Sequence, residues 1–201
     1  MTSILKVDTI QDADGNNIIN ESSNTITIGA SGDTLQASSG TTNNLGISEI
    51  DQWRLSADLS ITTLNTLTNI TANWERNDNT GFGRVGTGMT ESSGTFTFPS
   101  TGIYLITTTF VFYSATGGSE YNRMSINTTT NDSTYTEQDE CSVATSTTPK
   151  RNSTSSSFVF DVTDTSQCKV RFYYYVQGNI TLSGSSSKNR TFVTFTRIGD
   201  T

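Results

Sequence analysis

The side chains that most often carry catalysis are sparse in this sequence, which contains no histidine. Without histidine, a Ser-His-Asp or Cys-His arrangement and the commonest zinc ligand are all excluded. Two carboxylates alone can hydrolyse a glycoside, and the candidate pairs are Asp139 with Glu140 and Asp161 with Asp164. The first two point to opposite sides of an extended strand, and the second two lie where a strand leaves into a turn. The sequence therefore predicts a protein that is not an enzyme and has no catalytic residues.

Cys141 and Cys168 are the two cysteines of the chain. A catalytic thiol is disfavoured, because no histidine is present to activate it. The two residues can close a disulfide in an oxidising medium, or they can remain free thiols in a protein made in a reducing cytoplasm. Their separation along the chain allows both alternatives.

The segment DADGNN, which starts at Asp12, partly matches a calcium-binding loop. Asp12, Asp14 and Asn16 occupy the first three ligand positions of an EF-hand pattern. The pattern fails at its sixth position, where Asn17 replaces glycine, and at its twelfth, where Ser23 replaces glutamate. A β-turn between KVDTI and NIIN explains the same residues, so we expect no metal and no cofactor here.

Composition and charge indicate an all-β protein that does not bind nucleic acid. The chain of 201 residues is rich in Ser, Thr and Asn, and only 15% of it is charged, against about 25% in an average domain. A net charge of −7 disfavours nucleic acid and anionic membranes as partners. No window approaches the ~18 apolar residues of a membrane span, so we expect no membrane insertion. The opening MTSILKVDTI lacks the features of a secretory signal.

The stretch FTFPSTGIYLI, which starts at Phe96, predicts a strand, a turn and a second strand. Pro99 fixes its φ at about −65° and Gly102 accepts a positive φ, as such a turn requires. The second strand runs on to Tyr113 with bulky residues at alternate positions, which indicates one buried sheet face. These residues are Tyr104, Ile106, Phe110 and Phe112.

A second aromatic strand, KVRFYYYVQG, starts at Lys169 and alternates in the same way. One face is predicted to enter the core, and it carries Val170, Phe172, Tyr174 and Val176. The opposite face carries Arg171, Tyr173, Tyr175 and Gln177.

These stretches, followed by the closing strand TFVTFTRI, resemble the globular head of complement component q and its tumour-necrosis-factor relatives. The chain departs from that pattern at Met89, where the family usually has an aromatic residue, and at Arg84, where it usually has Asn or Asp. The resemblance implies an antiparallel jelly-roll sandwich over residues 51–201 and a homotrimer. Exposed tyrosines of this family often pack at the three-fold interface. The resemblance therefore makes the second face of KVRFYYYVQG a candidate trimer interface, and a carbohydrate platform is the alternative.

Residues 1–50 have short, sparse apolar stretches separated by turn-rich segments. Strands of this kind bury too little apolar surface to be stable alone, but three copies wound together share a core. We therefore expect an extended β-rich arm or short shaft here, whereas the alternative is a disordered tail. The candidate residues for anchoring it to a larger particle are Ile4, Val7, Ile10, Ile18, Ile26 and Ile28.

The opening TSILKVDTIQDADGNNIIN, followed by a β-rich module, is similar to structural proteins of tailed bacteriophages, particularly marine and cyanobacterial ones. The resemblance implies a trimeric fibre, spike or head decoration with an N-terminal attachment segment. It also implies a location on the virion surface, after synthesis in the host cytoplasm and release by lysis.

Three functional hypotheses follow. The preferred one is a non-enzymatic virion structural protein, a trimeric surface fibre or capsid decoration anchored to other virion proteins of the capsid or tail by its N-terminal arm. The alternative is a tail-fibre adhesin that recognises a host surface glycan or protein through the jelly-roll tip. A free lectin-like or cytokine-like module is the third.

Overall fold

The computed structural model describes residues 9–11, 13, 15, 17–22, 25–28, 46–145 and 150–201. Every regular element in this part of the chain is a β-strand. The chain divides into two compact units, residues 1–43 and 44–201. Among the described residues, no helix long and apolar enough to cross a membrane is found. The predicted all-β class is confirmed.

The first unit contains an antiparallel sheet of three strands, β1 (Thr9–Gln11), β2 (Asn17–Ser22) and β3 (Thr25–Ile28), in sequence order. The turn predicted at DADGNN is confirmed, because β1 and β2 pair antiparallel on either side of it. Gly15 in this turn has a φ of 84°, which glycine adopts without steric cost.

Four of the six candidate anchor residues lie on these strands. Ile10 and Ile28 are 39% and 53% exposed, respectively. Ile18 belongs to β2 and Ile26 to β3. Ile4 and Val7 lie outside the described residues.

The described part of the second unit contains thirteen strands in two antiparallel sheets. In chain order they are β4 (Glu49–Leu55), β5 (Leu59–Ser60), β6 (Thr68–Asn69), β7 (Trp74–Arg76), β8 (Thr90–Ser92), β9 (Thr95–Thr97), β10 (Gly102–Ser114), β11 (Ser119–Thr129), β12 (Thr136–Thr145), β13 (Lys150–Val162), β14 (Lys169–Val176), β15 (Thr181–Leu182) and β16 (Phe192–Gly199).

The larger sheet runs in the order β13-β10-β16-β4-β7, and β15 continues beyond β16 along the same side of β10. Strand β5 then pairs with β15. The smaller sheet runs β12-β11-β14-β9-β8, and β6 lies beside β14 next to β9. Neighbours within each sheet are mostly distant in sequence, as a jelly roll requires.

The turn between β9 and β10 forms where the sequence predicts it. The Tyr104 hydroxyl donates to the Ser100 carbonyl oxygen at 3.1 Å and ties β10 to the turn. Gly102 has a φ of 140°, and a Cβ there would lie 2.7 Å from the Gly199 carbonyl oxygen. Glycine is therefore required, because a side chain would collide with the neighbouring strand.

The core lies between the two sheets, and the predicted alternation of β10 is confirmed. Its four bulky alternate residues are fully buried. Phe96 of β9 is central, with ring centroids 5.2 Å from Trp74, 5.4 Å from Phe172 and 5.4 Å from Phe195. Met89, where the resembled family carries an aromatic residue, is 1% exposed and fills a core position.

Replacing Phe96 by Ala is expected to destabilise the protein by about 3–5 kcal/mol, since it leaves a cavity that rigid aromatic neighbours cannot fill. Urea denaturation followed by tryptophan fluorescence measures the loss. The control is Phe82→Ala, which truncates a half-buried ring in the loop after β7 and should cost much less. Equal losses in the two variants would contradict the central role of Phe96.

Candidate functional site

The outer face of the smaller sheet carries a row of aromatic side chains. In β14 the predicted alternation is confirmed: its four inward residues are buried, whereas Arg171, Tyr173 and Tyr175 point outward and are half-buried. Tyr121 of β11 and Tyr135, in the loop before β12, join them. We call Tyr121, Tyr135, Tyr173, Tyr175 and Arg171 the tyrosine face.

Tyr175 is held in place from two sides. The Tyr121 ring lies against it edge to face, with centroids 5.7 Å apart. The Tyr175 hydroxyl donates to Asn65 Oδ1 at 3.2 Å. Asn65 adopts the left-handed conformation, with a φ of 55°, and its backbone N–H donates to the Val176 carbonyl oxygen. Asparagine tolerates this conformation better than most residues, which helps to place its amide against the tyrosine.

The arginine of this face is already engaged within the chain. The Arg171 guanidinium lies 3.9 Å from the centroid of the Tyr135 ring, a cation–π contact. Its Nε also donates to Thr95 Oγ1 at 2.9 Å. Burial is the main cause that raises the pKa of Tyr135, so this phenol remains neutral at physiological pH.

A second arginine near the tyrosine face, Arg123, is paired with carboxylates of the chain. Arg123 of β11 forms an ion pair with Glu140 at 2.7 Å and a second one with Glu137. Tyr173 lies between two small polar residues, Ser125 of β11 and Asn69 of β6. The charge of Arg123 is therefore neutralised inside the chain, whereas that of Arg171 is not.

Gln177, the fourth residue predicted to share this face, lies just beyond the end of β14 and is exposed. It lines an open groove of about 690 Å³ at one end of the sandwich. The other lining residues are Gly117, Gly118, Ser119, Glu120, Ala144, Thr145, Lys150 and Asn152. The structure thus brings Arg171, Tyr173 and Tyr175 together and places Gln177 at a separate groove.

The outer face of the larger sheet has a different chemistry. Its long strand β10 presents half-buried Thr and aliphatic residues from Leu105 to Val111, and the positions of β13 and β16 that pair with this part are also uncharged. Val159 of β13 is 54% exposed. We call this surface the threonine face, after its residues Leu105, Thr107, Thr109, Val111, Val159 and Thr194.

Neither candidate carboxylate pair forms a catalytic arrangement. Asp139 pairs with Ile126 and Glu140 with Ser125, so the two carboxylates point to opposite sides of β12, as predicted. Asp164 shapes a turn, accepting hydrogen bonds from the Ser166 hydroxyl and backbone N–H, both at 2.7 Å, and these bonds lower the pKa of Asp164. Among the described residues, no three Cys, Asp or Glu side chains lie close enough together to hold a metal ion.

Both cysteines are free thiols. Cys168 is buried, and Cys141 is half-buried beside the hydroxyls of Thr154 and Ser156 on β13. Cys141 pairs with Met124 of β11, whereas Cys168 precedes Lys169, which pairs with Thr129. The two thiols therefore lie at different levels of the sandwich. Burial raises the pKa of the Cys141 thiol, so it carries less thiolate than an exposed cysteine at the same pH.

Sequence reasoning did not find the buried charges of β4. Arg54 is fully buried and donates to Glu75 at 3.1 Å, to Asp78 at 2.6 Å and to Asn77 Oδ1 at 3.1 Å. Asp51 accepts bonds at 2.8 Å from Trp53 Nε1 and from the Met89 backbone N–H. The one available signal was the presence of three charged residues, Glu49, Asp51 and Arg54, within the short strand EIDQWRL. These contacts fix the loops around β4 and leave no ionised group free for chemistry.

No protein-family profile and no curated protein matches this sequence. Solved structures do match. The chain is similar to murine APRIL at pH 8.5, with a TM-score of 0.53 and 16% identity over 75% of this chain and 98% of that one. It is also similar to Eiger TNF from S. frugiperda, with a TM-score of 0.54 and 13% identity over 78% of this chain and 95% of that one. The fold is that of a tumour-necrosis-factor jelly roll. At these identities the likeness establishes the fold alone, and the expected jelly-roll sandwich is confirmed.

Thiol titration tests the arrangement of the cysteines. Unfolding in guanidinium without reductant should release two reactive thiols per chain, since both cysteines are free. In the folded protein, alkylation of Cys141 at pH 8 should be slower than that of a small free thiol, because its raised pKa reduces the thiolate fraction. The control is Cys141→Ser, which should leave Cys168 protected until the protein unfolds. A titration that yields no free thiol without reductant would contradict this arrangement.

Proposed function

We propose that this protein is a non-enzymatic, homotrimeric structural protein of a bacteriophage virion, a surface fibre or capsid decoration attached by its first unit. The tumour-necrosis-factor fold supports a binding or structural role, since the described residues hold no catalytic arrangement. The trimer is supported by the resemblance of the sequence to jelly-roll proteins that form trimers. The virion role is supported by the phage-like opening sequence.

The observation that carries the proposal is the threonine face. The centres of self-association interfaces are depleted of charged residues, because each charge would lose its hydration. From Leu105 to Val111, neither β10 nor its paired positions on β13 and β16 carry a charged side chain. Obligate interfaces bury about 2,000 Å² or more, and a broad, flat sheet face provides contact of this kind.

The resemblance of the sequence to trimeric jelly rolls predicts a trimer contact at Arg171, Tyr173, Tyr175 and Gln177, and that assignment stays a prediction. The threonine face is the better self-contact in our proposal for two reasons. It requires no charge to be buried, whereas Arg171 and its neighbours would carry theirs into the interface. It also exposes Val159, whose apolar surface gains from contact with another copy.

The substitution Thr107→Arg is expected to convert the trimer to monomers, because it places one uncompensated charge per chain at the centre of the threonine face. Light scattering after size-exclusion chromatography distinguishes the 21.8 kDa chain from a species three times as heavy. The matched control is Thr136→Arg on exposed β12, which should remain trimeric. A monomeric wild-type protein would contradict the trimer, and a trimeric Thr107→Arg variant would move its contact elsewhere.

Virion attachment is tested by deleting residues 1–43. The remaining unit has its own hydrophobic core, so it should stay folded and trimeric but no longer associate with purified virions. Immunogold labelling of the full-length protein locates it on the particle. Label over the head supports a capsid decoration, whereas label confined to the tail favours the adhesin. Absence from every particle, or undiminished attachment after the deletion, contradicts the proposal.

A further inference from the structure

We propose that the tyrosine face is a binding platform for a neutral carbohydrate chain. The inference does not depend on the virion role, since it rests on the outer surface of the smaller sheet alone. It assigns the aromatic face to a ligand and leaves the threonine face for self-contact.

The rings form a row of suitable shape. Tyr173 and Tyr175 are alternate residues of β14, so they are about 7 Å apart along the strand. The Tyr121 ring extends the row at one end, and the stacked pair of Arg171 and Tyr135 extends it at the other. The C–H bonds on one side of a pyranose pack against aromatic rings, while its hydroxyls need hydrogen-bond partners. A tyrosine offers both an apolar body and a polar end.

The hydroxyls divide into two kinds. The Tyr175 hydroxyl is engaged by Asn65, which orients the ring. Within the described part of the chain, the hydroxyls of Tyr121 and Tyr173 form no hydrogen bond, and both residues are half-buried with part of each side chain open to solvent. A phenol hydroxyl both donates and accepts, as the hydroxyls of a sugar require. In this row, the Tyr175 hydroxyl is engaged within the chain, whereas the hydroxyls of its neighbours Tyr121 and Tyr173 remain available to a ligand.

The charge of the protein favours a neutral ligand over an acidic one. Arg123 is paired with Glu137 and Glu140, and Arg171 is stacked on Tyr135 and bonded to Thr95. Arg171 keeps its positive charge, because its contacts are with an aromatic ring and a hydroxyl and not with a carboxylate. The chain as a whole, with a net charge of −7, repels polyanions. An acidic polysaccharide is thus disfavoured, whereas a neutral one is not repelled.

The size of the face argues against a protein partner. A standard protein interface takes about 800 Å² from each side, and a few half-buried rings expose far less. A short run of sugar units, by contrast, covers a narrow row of rings.

Calorimetric titration of the full-length protein tests the proposal. The probes are three neutral hexasaccharides, cellohexaose, chitohexaose and mannohexaose, with oligogalacturonate as the acidic comparison. We expect a dissociation constant of ~1 mM or tighter for at least one neutral probe and no binding of the acidic one. Failure of all three neutral probes, or preference for the acidic one, would overturn the proposal.

Variants then assign the site. Tyr173→Ala and Tyr121→Ala should each weaken binding at least tenfold, whereas Tyr173→Phe, which keeps the ring and loses the hydroxyl, should weaken it less. The control is Phe82→Ala, which removes a half-buried ring outside the tyrosine face and should bind as wild type does. Unchanged binding by Tyr173→Ala would overturn the proposal.

Two other outcomes would show that the tyrosine face binds something other than a carbohydrate. If Tyr173→Ala remains folded by circular dichroism but loses the trimer, the face is a self-contact and the proposal fails. Adsorption to bacterial cell envelopes that persists after periodate oxidation of their sugars would identify a protein partner and would also overturn it.

Discussion

The contact between the two sheets depends on one ring. Phe96 belongs to the smaller sheet, and its ring centroid lies 5.5 Å from Trp53 and 5.4 Å from Phe195, both of the larger sheet. The rings meet edge to face or tilted, the geometries that aromatic quadrupoles favour. Because this cluster packs between the two sheets, the outer faces of the sheets lie on opposite sides of the sandwich. The separation of a tyrosine-rich face from a threonine-rich face is a consequence of that core.

The buried charges of β4 have a complementary role. Arg54 is fully buried yet bonded to Glu75 of β7, to Asp78 in the loop after β7 and to the Ser186 carbonyl of a second loop. A buried charge is costly unless it is fully paired, so these loops are restricted to the positions that satisfy it. The aromatic core supplies non-directional cohesion, and the arginine fixes the arrangement of the connections around it.

The features that could be predicted from the sequence are those that follow from the alternation of side chains along a strand. Alternation in β10 and β14 assigned each side chain to its face, because a period of two leaves little choice once one face is buried. The turn before β10 followed from the residue chemistry of proline and glycine. Alternation does not show where a strand ends, because the end depends on pairing with strands that are distant in sequence. The separation of Gln177 from Tyr173 and Tyr175 was therefore not predicted. Nor was the burial of Asp51 and Arg54, since a charged residue in a strand usually faces solvent and the charged partners here, Arg76 and Glu75, belong to a different strand.

Among the described residues, strand β13 has an unpaired edge that could promote aggregation, and its polar residues reduce this risk. It pairs with β10 over all 13 of its residues and, in the part of the chain that the structure describes, forms no second ladder, so its other backbone edge has no ladder partner there. Such an edge is a template for strands of other molecules, and it leads readily to aggregation. Here the outward positions carry Ser153, Ser155 and Ser157, and charged Lys150 and Asp161 lie near the two ends. Polar and charged residues on an edge make the growth of one sheet from copy to copy unfavourable. Joining of separate copies edge to edge into a fibril is thus disfavoured.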